Sequence, residues 1–245
     1  YPQEIYKAAS WEVLYHLSDL RENIIGWLPV DKSMKVLEIG SGCGAITGSL
    51  AQKAGSVTCV DLSKKRSLIN AYRHQDCDNV TIHVGNFSDI EPDLPTDYDF
   101  VCLIGVFEYG QSYIGGKTPF HDFYRIIKKH VKCDGHIVIA IENKLGLKYW
   151  AGCREDHVGT FFSGLEDYPQ GGAARTFSRS GLEKILKEWC RGQMREAIPP
   201  VLAECEALVG VRAKEWRIRD MHTRWGTCNV RDKRIWIAQT LGAYP

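Results

Sequence analysis

Several patterns are missing from the chain, and each absence excludes a class of protein. No apolar run approaches the roughly 20 residues that a transmembrane helix needs. The nine cysteines form no C-x-x-C pair and the eight histidines form no H-x-x-x-H pair, which argues against a disulfide scaffold and a zinc site. The formal net charge is only +1, so the composition does not indicate a polyanionic partner. We expect a soluble, cytoplasmic protein with no metal site, no membrane segment and no nucleic-acid partner.

The hydrophobic pattern that is present predicts an α/β fold. The 245 residues are enough for one medium domain with a small appendage. Buried apolar strands alternate with helical segments, which predicts a doubly wound parallel sheet. The predicted strands are 36–39, 56–60, 80–84, 100–104 and 136–141, the last one launched by a tight turn at 133–135. The predicted helices are 4–27, 45–54, 64–73, 120–131 and one that begins at a capping box, 180–183, and runs to 189.

A glycine-rich turn follows the first strand. Gly40, Gly42 and Gly44 occupy alternate positions and lead into a helix. Glycines let the chain turn sharply and bring backbone against a ligand, while the helix presents free N–H groups to it. The second strand ends in Asp61, whose carboxylate can accept hydrogen bonds from both hydroxyls of a ribose. The pattern predicts a site for an adenosine-containing cofactor.

Two cofactor classes fit this turn. Gly40, Gly42 and Ala45 satisfy the relaxed dinucleotide fingerprint G-x-G-x-x-G/A. Glu38 lies directly before the turn, however, and would repel a pyrophosphate, whereas Gly44 completes a G-x-G-x-G pattern that resembles the first motif of class I S-adenosylmethionine-dependent methyltransferases. The resemblance implies a Rossmann-like fold with S-adenosyl-L-methionine as the cofactor. A nicotinamide-dependent oxidoreductase and a catalytically inactive binding protein on the same fold remain alternatives.

Residues that follow the later strands complete the predicted cofactor site. Asn86 can hydrogen-bond the adenine edge and Phe87 can stack on it, although an asparagine here also suits a turn cap. Glu108 and Tyr109, after the fourth strand, are expected to face the transferred methyl group or its acceptor. The predicted cofactor-binding residues are Glu38, Gly40, Ser41, Gly42, Gly44, Asp61, Leu62, Asn86, Phe87 and Gly105.

Several segments in sequence order resemble one group of bacterial class I methyltransferases. These proteins commonly accompany glycosyltransferases in surface-polysaccharide biosynthesis, and the resemblance covers about residues 15–187. It implies methyl transfer to an oxygen of a sugar or phosphosugar, a small-molecule or glycan acceptor, and a glycosyltransferase partner. The segments that carry the resemblance are LSDLRENIIGWLP, GSGCGAITGSL, SKKRSLINAYRH, NFSDI, IGVFEY, IAIENKLGLKYWAGCREDHVG and RTFSRSGLEKIL.

The segment 142–177 is long, polar and rich in glycine, which is typical of a functional loop. We interpret it as the acceptor-binding segment. Trp150 is predicted to stack on a sugar, and Arg154 to meet a phosphate or carboxylate, as Arg175 also could. Asp156 with His157 is a candidate base pair, although adjacent Asp and His residues are often only a solvated loop pair. Glu142 and Glu108 are competing catalytic candidates.

The tail follows a different pattern and predicts a second domain. Segments 216–221, 223–228 and 234–237 resemble the N-terminal half of YgjP-like zinc metallopeptidases, whose motif is close to R-W-G-S-C. In that family a His-Glu-x-x-His helix should follow, and none is present, so we expect no metal site and no peptidase activity. We predict a methyltransferase domain at 1–187 and a small, incomplete α+β segment at 188–245. A fragment or a fusion would explain this organisation.

Overall fold

The computed structural model describes residues 2–8, 10–221 and 223–243. It divides into two compact units, one ending at Ser178 and the other beginning at Arg179. The predicted domain boundary at residue 187 lies within the first helix of the second unit. No helix among these described ranges combines the length and apolar character needed to cross a membrane.

The first unit is built on a five-stranded parallel sheet with the order β3-β2-β1-β4-β5. Because β1 to β3 extend one way and β4 and β5 the other, the strand order reverses between β1 and β4. This arrangement confirms the predicted doubly wound α/β fold. The strands are β1 (Lys35–Ile39), β2 (Ser56–Asp61), β3 (Val80–Val84), β4 (Tyr98–Ile104) and β5 (Val131–Ala140).

Helices flank the sheet and precede it. The α-helices of the first unit are α1 (Pro2–Lys7), α2 (Trp11–Leu17), α3 (Thr47–Lys53), α4 (Lys64–Arg73), α5 (Phe87–Ile90), α6 (Gly110–Tyr113), α7 (Pro119–Lys128) and α8 (Leu147–Trp150). Short 3₁₀ helices occupy Asp19–Ile24, Glu91–Asp93 and Phe107–Tyr109. The side chains of Val36, Leu50, Val57 and Phe100 belong to one buried cluster between the sheet and its helices. This packing holds the strands in place, so that the polar side chains that follow them lie together at one edge of the sheet.

The observed bounds confirm β3 and α4 as predicted and differ for the other elements of the first unit. The predicted helix 4–27 is divided into α1, α2 and the 3₁₀ helix Asp19–Ile24. α3 begins at Thr47 instead of 45, because the glycine turn uses two more residues. The predicted turn at 133–135 lies inside β5, where the β4–β5 register shifts between Tyr98 and Phe100. A Cβ at Gly135 would lie 2.9 Å from the carbonyl oxygen of Asp99, so the chain packs closely on β4 at this irregularity.

The second unit consists of one long helix, α9 (Arg179–Val209), and a three-stranded sheet with the order β6-β8-β7. α9 continues through Trp189, where the sequence pattern ended a helix, and it contains Pro199 and Pro200. Since it starts at Arg179, Ser180 lies inside its first turn and is not its N-cap. The remaining elements are β6 (Glu215–Arg219), β7 (Gly226–Asn229), β8 (Arg234–Ala238) and a 3₁₀ helix, Gln239–Ala243.

Candidate functional site

A cavity of about 910 Å³ opens at the carboxyl ends of the parallel strands, where the strand order reverses. Its volume lies in the range of roughly 300–1,000 Å³ that is usual for ligand sites, and this edge is where ligands bind in doubly wound folds. The lining combines the turn after β1, the ends of β2 to β4 and the segment after β5. The predicted site residues that line it are Gly40, Asp61, Leu62, Asn86, Phe87, Gly105, Tyr109, Glu142, Arg154, Asp156 and His157.

The glycine turn adopts a left-handed backbone conformation. Gly40, Gly42 and Gly44 have φ values of 73°, 54° and 75°. A Cβ at Gly44 would lie 2.2 Å from Oδ1 of Asn70, so α4 packs directly on the turn. At Gly42 a Cβ would meet no described atom within 4 Å, so this backbone faces open space. The turn therefore needs glycine for its conformation and offers bare backbone to a ligand.

Asp61 ties the turn to the end of β2. Its Oδ2 accepts the N–H of Gly42 at 2.8 Å, and its Oδ1 accepts the N–H of Ser63 at 2.8 Å. Each carboxylate oxygen can accept more than one hydrogen bond, so the cavity side of Asp61 can still accept hydroxyl donors. Leu62 follows directly and is exposed at the cavity rim.

Glu38 lies beneath the turn and not in the main cavity. With Ser41 and Gly42 it lines an adjoining cavity of about 80 Å³. Its Oε2 accepts the hydroxyl of Thr47 at 2.7 Å. Burial raises the pKa of Glu38 to about 7, against the opposing effect of this hydrogen bond. The predicted carboxylate is therefore present, but it is buried and close to neutralisation at physiological pH.

Asn86 and Phe87 stabilise α5 in addition to lining the cavity. The side chain of Asn86 caps α5 by accepting the N–H of Ser88 at 3.4 Å, which is the turn-capping alternative. Phe87 is buried against Phe123 and His130, with ring centroids 6.2 and 6.1 Å away. Both residues line the cavity, so they shape the predicted adenine pocket while holding α5 in place.

The segment after β5 brings His157 into the lining of the same cavity. His157 pairs through Nδ1 with Oε1 of Glu155 at 2.9 Å, and not, as predicted, with Asp156. Asp156 is held instead by Lys148 and by the hydroxyl of Tyr149. Side chains of adjacent residues point in different directions in this turn, which is why the pairing skips the neighbouring acid.

Glu155 is a fully buried anion that orients His157. It also accepts the backbone N–H of His157 at 2.8 Å and of Val158 at 2.7 Å, and the hydroxyl of Tyr168 at 3.1 Å. Burial acts to raise the pKa of Glu155, but the hydrogen bonds from His157 and Val158 outweigh it and hold the pKa below its usual value. A carboxylate on Nδ1 leaves Nε2 of His157 as the acceptor nitrogen.

Two further carboxylates lie beside Nε2 of His157. Oε1 of Glu108 is 4.0 Å from it, and one atom each of Glu108, Glu142 and His157 lie within 4.8 Å of one another. Glu108 is 1% exposed, and burial raises its pKa to about 7. Tyr109 packs its ring 5.5 Å from that of His157, and burial raises the pKa of its phenol to about 12. We call Glu108, Glu142 and His157 the carboxylate–histidine cluster.

The two predicted substrate-binding residues of this segment differ in position. Arg154 lines the cavity, donates to the carbonyl oxygen of Gly159 at 2.9 Å and lies 4.4 Å from the ring centroid of Phe161. Trp150 is 64% exposed and is not among the lining residues, so the structure does not bring it to the site. Arg175 is paired with Asp167 and is not part of the lining either.

Other lining residues were not predicted from the sequence. They include Trp11, Tyr15, His16, Arg66, Tyr113 and Glu155. Helical spacing is the signal that could have found some of them, since Trp11 and Tyr15, and likewise Tyr109 and Tyr113, are four residues apart. The spacing does not predict that Trp11 and Tyr15 lie at the cavity, because their position depends on how α2 packs on the glycine turn.

A single guanidinium holds α2 in this position. Nη1 of Arg73 donates to the carbonyl oxygen of Cys43 in the glycine turn at 2.8 Å and to that of His16 at 3.2 Å. Its Nη2 donates to the carbonyl oxygen of Leu17 at 3.4 Å. Arg73 of α4 thus bonds both the end of α2 and the glycine turn, and we call these bonds the Arg73 anchor.

Two family profiles match this chain. The profile described as "Methyltransferase domain" matches residues 37–137, which cover the glycine turn, Asp61 and the strands to β5. The profile described as "YgjP-like, metallopeptidase domain" matches residues 145–245. The second match begins before the division between the two compact units.

Curated relatives cover part of the same region. "Ribosomal RNA small subunit methyltransferase A" of Streptococcus pneumoniae is 31% identical over 90 residues, which is 32% of this chain and 30% of that protein. "Probable cobalt-precorrin-6B C(15)-methyltransferase (decarboxylating)" of Methanococcus maripaludis is 26% identical over 113 residues, 45% of this chain and 55% of that protein. The chain thus spans less than a third of the first relative and about half of the second.

Solved structures share the fold at low identity. Phosphoethanolamine N-methyltransferase 1 of Haemonchus contortus, in complex with phosphoethanolamine and S-adenosylhomocysteine, aligns with a TM-score of 0.51 and 18% identity over 72% of this chain and 34% of that chain. A chain from the complex of the Haloferax volcanii Trm112 methyltransferase activator with a methyltransferase aligns with a TM-score of 0.51 and 17% identity over 76% and 73%. The first unit therefore has a Rossmann-like fold in which residues 37–137 are similar to a methyltransferase domain, and the part of the chain from residue 145 is similar to a YgjP-like metallopeptidase domain.

Proposed function

We propose that the first unit is an S-adenosyl-L-methionine-dependent methyltransferase that methylates an oxygen of a sugar or phosphosugar. One observation carries the proposal: a single cavity is lined both by Gly40 and Asp61 and by Glu142 and His157 of the carboxylate–histidine cluster. A cofactor and an acceptor could therefore occupy the same cavity. The match to a methyltransferase domain supports the same assignment.

The cofactor end has the chemistry that S-adenosylmethionine requires. Asp61 would accept the ribose hydroxyls, and charge-assisted bonds of this kind are each worth about 1.5–3 kcal/mol. The open backbone at Gly42 would border the methionine portion, whose cationic groups suit the carboxylate of Asp61 and that of Glu38 in its ionised form. A dinucleotide pyrophosphate would meet the same acidic groups and be repelled.

The acceptor end would align a hydroxyl with the transferred methyl group. Such alignment is worth up to about 7–11 kcal/mol, and removal of the hydroxyl proton adds about two to four powers of ten. Nε2 of His157 is oriented by Glu155 toward this end, with Glu108 and Glu142 beside it. Tyr109 and Tyr113 would pack on a sugar face, and Arg154 would bind a phosphate.

The acceptor class rests on the resemblance to polysaccharide-associated enzymes, and a glycosyltransferase partner belongs to the same proposal. The named relatives include ribosomal RNA methyltransferases, so RNA is the competing acceptor. A near-neutral net charge disfavours RNA, because binding it depends on neutralising many phosphates.

Calorimetry with S-adenosylmethionine, S-adenosylhomocysteine and NADH tests the cofactor. We expect both sulfur compounds to bind and NADH not to bind. Asp61→Ala should weaken binding more than tenfold, whereas Asp76→Ala, which removes an exposed acid outside the cavity lining, should leave it unchanged. Preferred binding of NADH would contradict the proposal.

A methylation assay separates the acceptor classes. Sugar phosphates, nucleoside-diphosphate sugars and short ribosomal RNA fragments would be offered with radiolabelled cofactor. We expect label on a sugar oxygen. Label on RNA alone would refute the acceptor class and leave the cofactor assignment standing, while binding without any turnover would favour the inactive binding protein.

A further inference from the structure

We propose that the carboxylate–histidine cluster is a binding site for a divalent transition-metal ion such as Mn²⁺ or Zn²⁺. Glu108 follows β4 and Glu142 follows β5, and these strands are paired neighbours, so their carboxylates meet at one sheet edge. His157 completes the cluster from the following segment. One ligand atom of each residue lies within 4.8 Å of the other two, so small side-chain movements would bring all three to the roughly 2.0–2.2 Å that bonds to such an ion need.

Unpaired buried oxygens point to a missing ligand. Oε2 of Glu108 and Oε2 of Glu142 are buried and have no hydrogen-bond partner among the residues that the structure describes. Leaving a buried polar atom unpaired costs about 1–3 kcal/mol, and more for a charged group. Glu108 is 1% exposed, so solvent does not satisfy its carboxylate. A cation bound between the two carboxylates would satisfy both.

The surroundings of His157 are those of a metal-ligating histidine. Such a residue usually donates its second ring N–H to a carboxylate, which fixes the tautomer and strengthens the ligand nitrogen. Glu155 has this role at 2.9 Å from Nδ1, and Tyr168 and two backbone N–H groups hold Glu155 in turn. The free Nε2 is the atom that faces Glu108. The imidazole of His157 is thus already oriented for binding when no ion is bound.

The ligand set indicates the class of ion. Two carboxylate oxygens and one imidazole nitrogen suit Mn²⁺ or Zn²⁺ better than a thiolate-seeking ion, and three protein ligands leave coordination positions open. Glu142 and His157 line the cavity, so an open position would face the acceptor.

The role of the ion rests on the proposed function, whereas its binding does not. A hydroxyl of the acceptor would coordinate the ion and release its proton to solvent, because a bound cation lowers the pKa of a hydroxyl. An electron pair of the acceptor oxygen would form the new O–C bond. At the same time the C–S bond of the cofactor would break, and the electron pair of that bond would return to sulfur. The sulfonium becomes a neutral thioether and one proton is released, so charge and atoms balance.

The test titrates Mn²⁺ alone into the 245-residue chain after dialysis against a chelator, with calorimetry and electron paramagnetic resonance as readouts. We expect one equivalent to bind, and Glu108→Gln, Glu142→Gln and His157→Ala each to weaken binding at least tenfold. Glu155→Gln, which changes the group that orients His157 and removes no proposed ligand, should weaken it about 10–100-fold. Glu166→Gln, an exposed acid of the same segment, should change nothing.

Binding of S-adenosylhomocysteine to every variant verifies that the protein is folded and tests the cofactor site separately. Absence of Mn²⁺ and Zn²⁺ binding, or binding that the cluster variants leave unchanged, would overturn the metal site. Methylation at full rate in excess chelator would overturn its role and leave His157 as a direct base. Failure of S-adenosylhomocysteine to bind would instead refute the proposed function, whatever the metal result.

Discussion

Gly42 combines a left-handed backbone with a face open to the small adjoining cavity, and these two properties can be separated by mutation. Gly42→Val would force a β-branched side chain to a φ of 54° and place it where a ligand would lie. We expect cofactor binding to be abolished. Gly171→Val imposes similar strain at a φ of 74°, also with open space around it, but away from the cavity lining.

Comparison of the two variants by calorimetry and thermal unfolding decides between ligand contact and strain. Both should lower the melting temperature, and only Gly42→Val should lose the cofactor. Normal cofactor binding by Gly42→Val would show that the glycine turn is a packing feature.

Glu38 should make the stability of the first unit depend on pH. Its pKa is raised from the usual 4.5 to about 7 because the carboxyl is buried. The folded state therefore holds a proton that the unfolded state releases near pH 4.5, so stability is greatest below that pH and is lost as the pH rises through about 7. One pKa unit is worth about 1.4 kcal/mol, so the loss reaches up to about 3 kcal/mol.

Urea unfolding at pH 5 and pH 8 measures this effect when wild type is compared with Glu38→Gln. The amide oxygen of glutamine can still accept the hydroxyl of Thr47 but does not titrate. We expect the variant to lose less stability than wild type between the two pH values. Glu108 titrates in both proteins and cancels in the difference, so equal losses would contradict the assignment to Glu38.

At the scale of single residues, the sequence predicted which side chains lie at the site better than it predicted which residues they contact. Gly40, Asp61 and His157 line the cavity, and each follows a strand or belongs to a sequence pattern with a known geometry. The partner of His157 was missed, since choosing Glu155 over Asp156 requires the path of a turn. The meeting of Glu108 with Glu142 also depends on strand pairing, which joins residues that are distant in sequence.

At the scale of elements, α9 contains a feature that should lower its own stability. Pro199 and Pro200 lie inside the helix, and neither can donate a backbone hydrogen bond. A proline in a helix interior costs about 3 kcal/mol relative to alanine. We expect Pro199→Ala/Pro200→Ala to stabilise α9 and to slow exchange of the amide protons around these positions.

Hydrogen exchange followed by mass spectrometry provides the measurement. Amides of β3, in the other unit, serve as the internal control and should exchange at unchanged rates. Exchange in α9 that is unchanged or faster in the variant would mean that the prolines fit a local geometry that an ideal helix does not supply.

Elements with a clean hydrophobic pattern were predicted to the residue, and irregular ones were not. β3 and α4 have the predicted bounds, since polar turns or a serine N-cap limit them. β5 extends five residues before the predicted start because a register shift absorbs 133–135, and no local signal distinguishes such a shift from a turn. The sequence pattern ended a helix at residue 189, whereas α9 continues to Val209.

At the scale of the whole molecule, the division into two units predicts independent behaviour. All lining residues of the main cavity lie before Ser178. The three strands of the second unit form their own sheet and do not extend the five-stranded one. We therefore expect a protein truncated after Ser178 to fold and to bind S-adenosylmethionine with an affinity within about threefold of that of the full chain.

Calorimetry and circular dichroism on both proteins test this expectation. Limited proteolysis of the full chain should likewise leave an N-terminal fragment that binds the cofactor, with cleavage between about residues 187 and 212. A truncated protein that is unfolded, or a tail that resists protease, would show that the two units depend on each other.

The Arg73 anchor has a thermodynamic consequence for how the cavity fills. One guanidinium bonds both the glycine turn and the end of α2, and α2 supplies Trp11, Tyr15 and His16 to the cavity wall. Whatever fills the cavity is therefore coupled to the docking of α2, and coupling of this kind is reciprocal: each event must favour the other by the same free energy. Trp11, 73% exposed, would lose water contact as the cavity fills, so its fluorescence reports occupancy from within the chain.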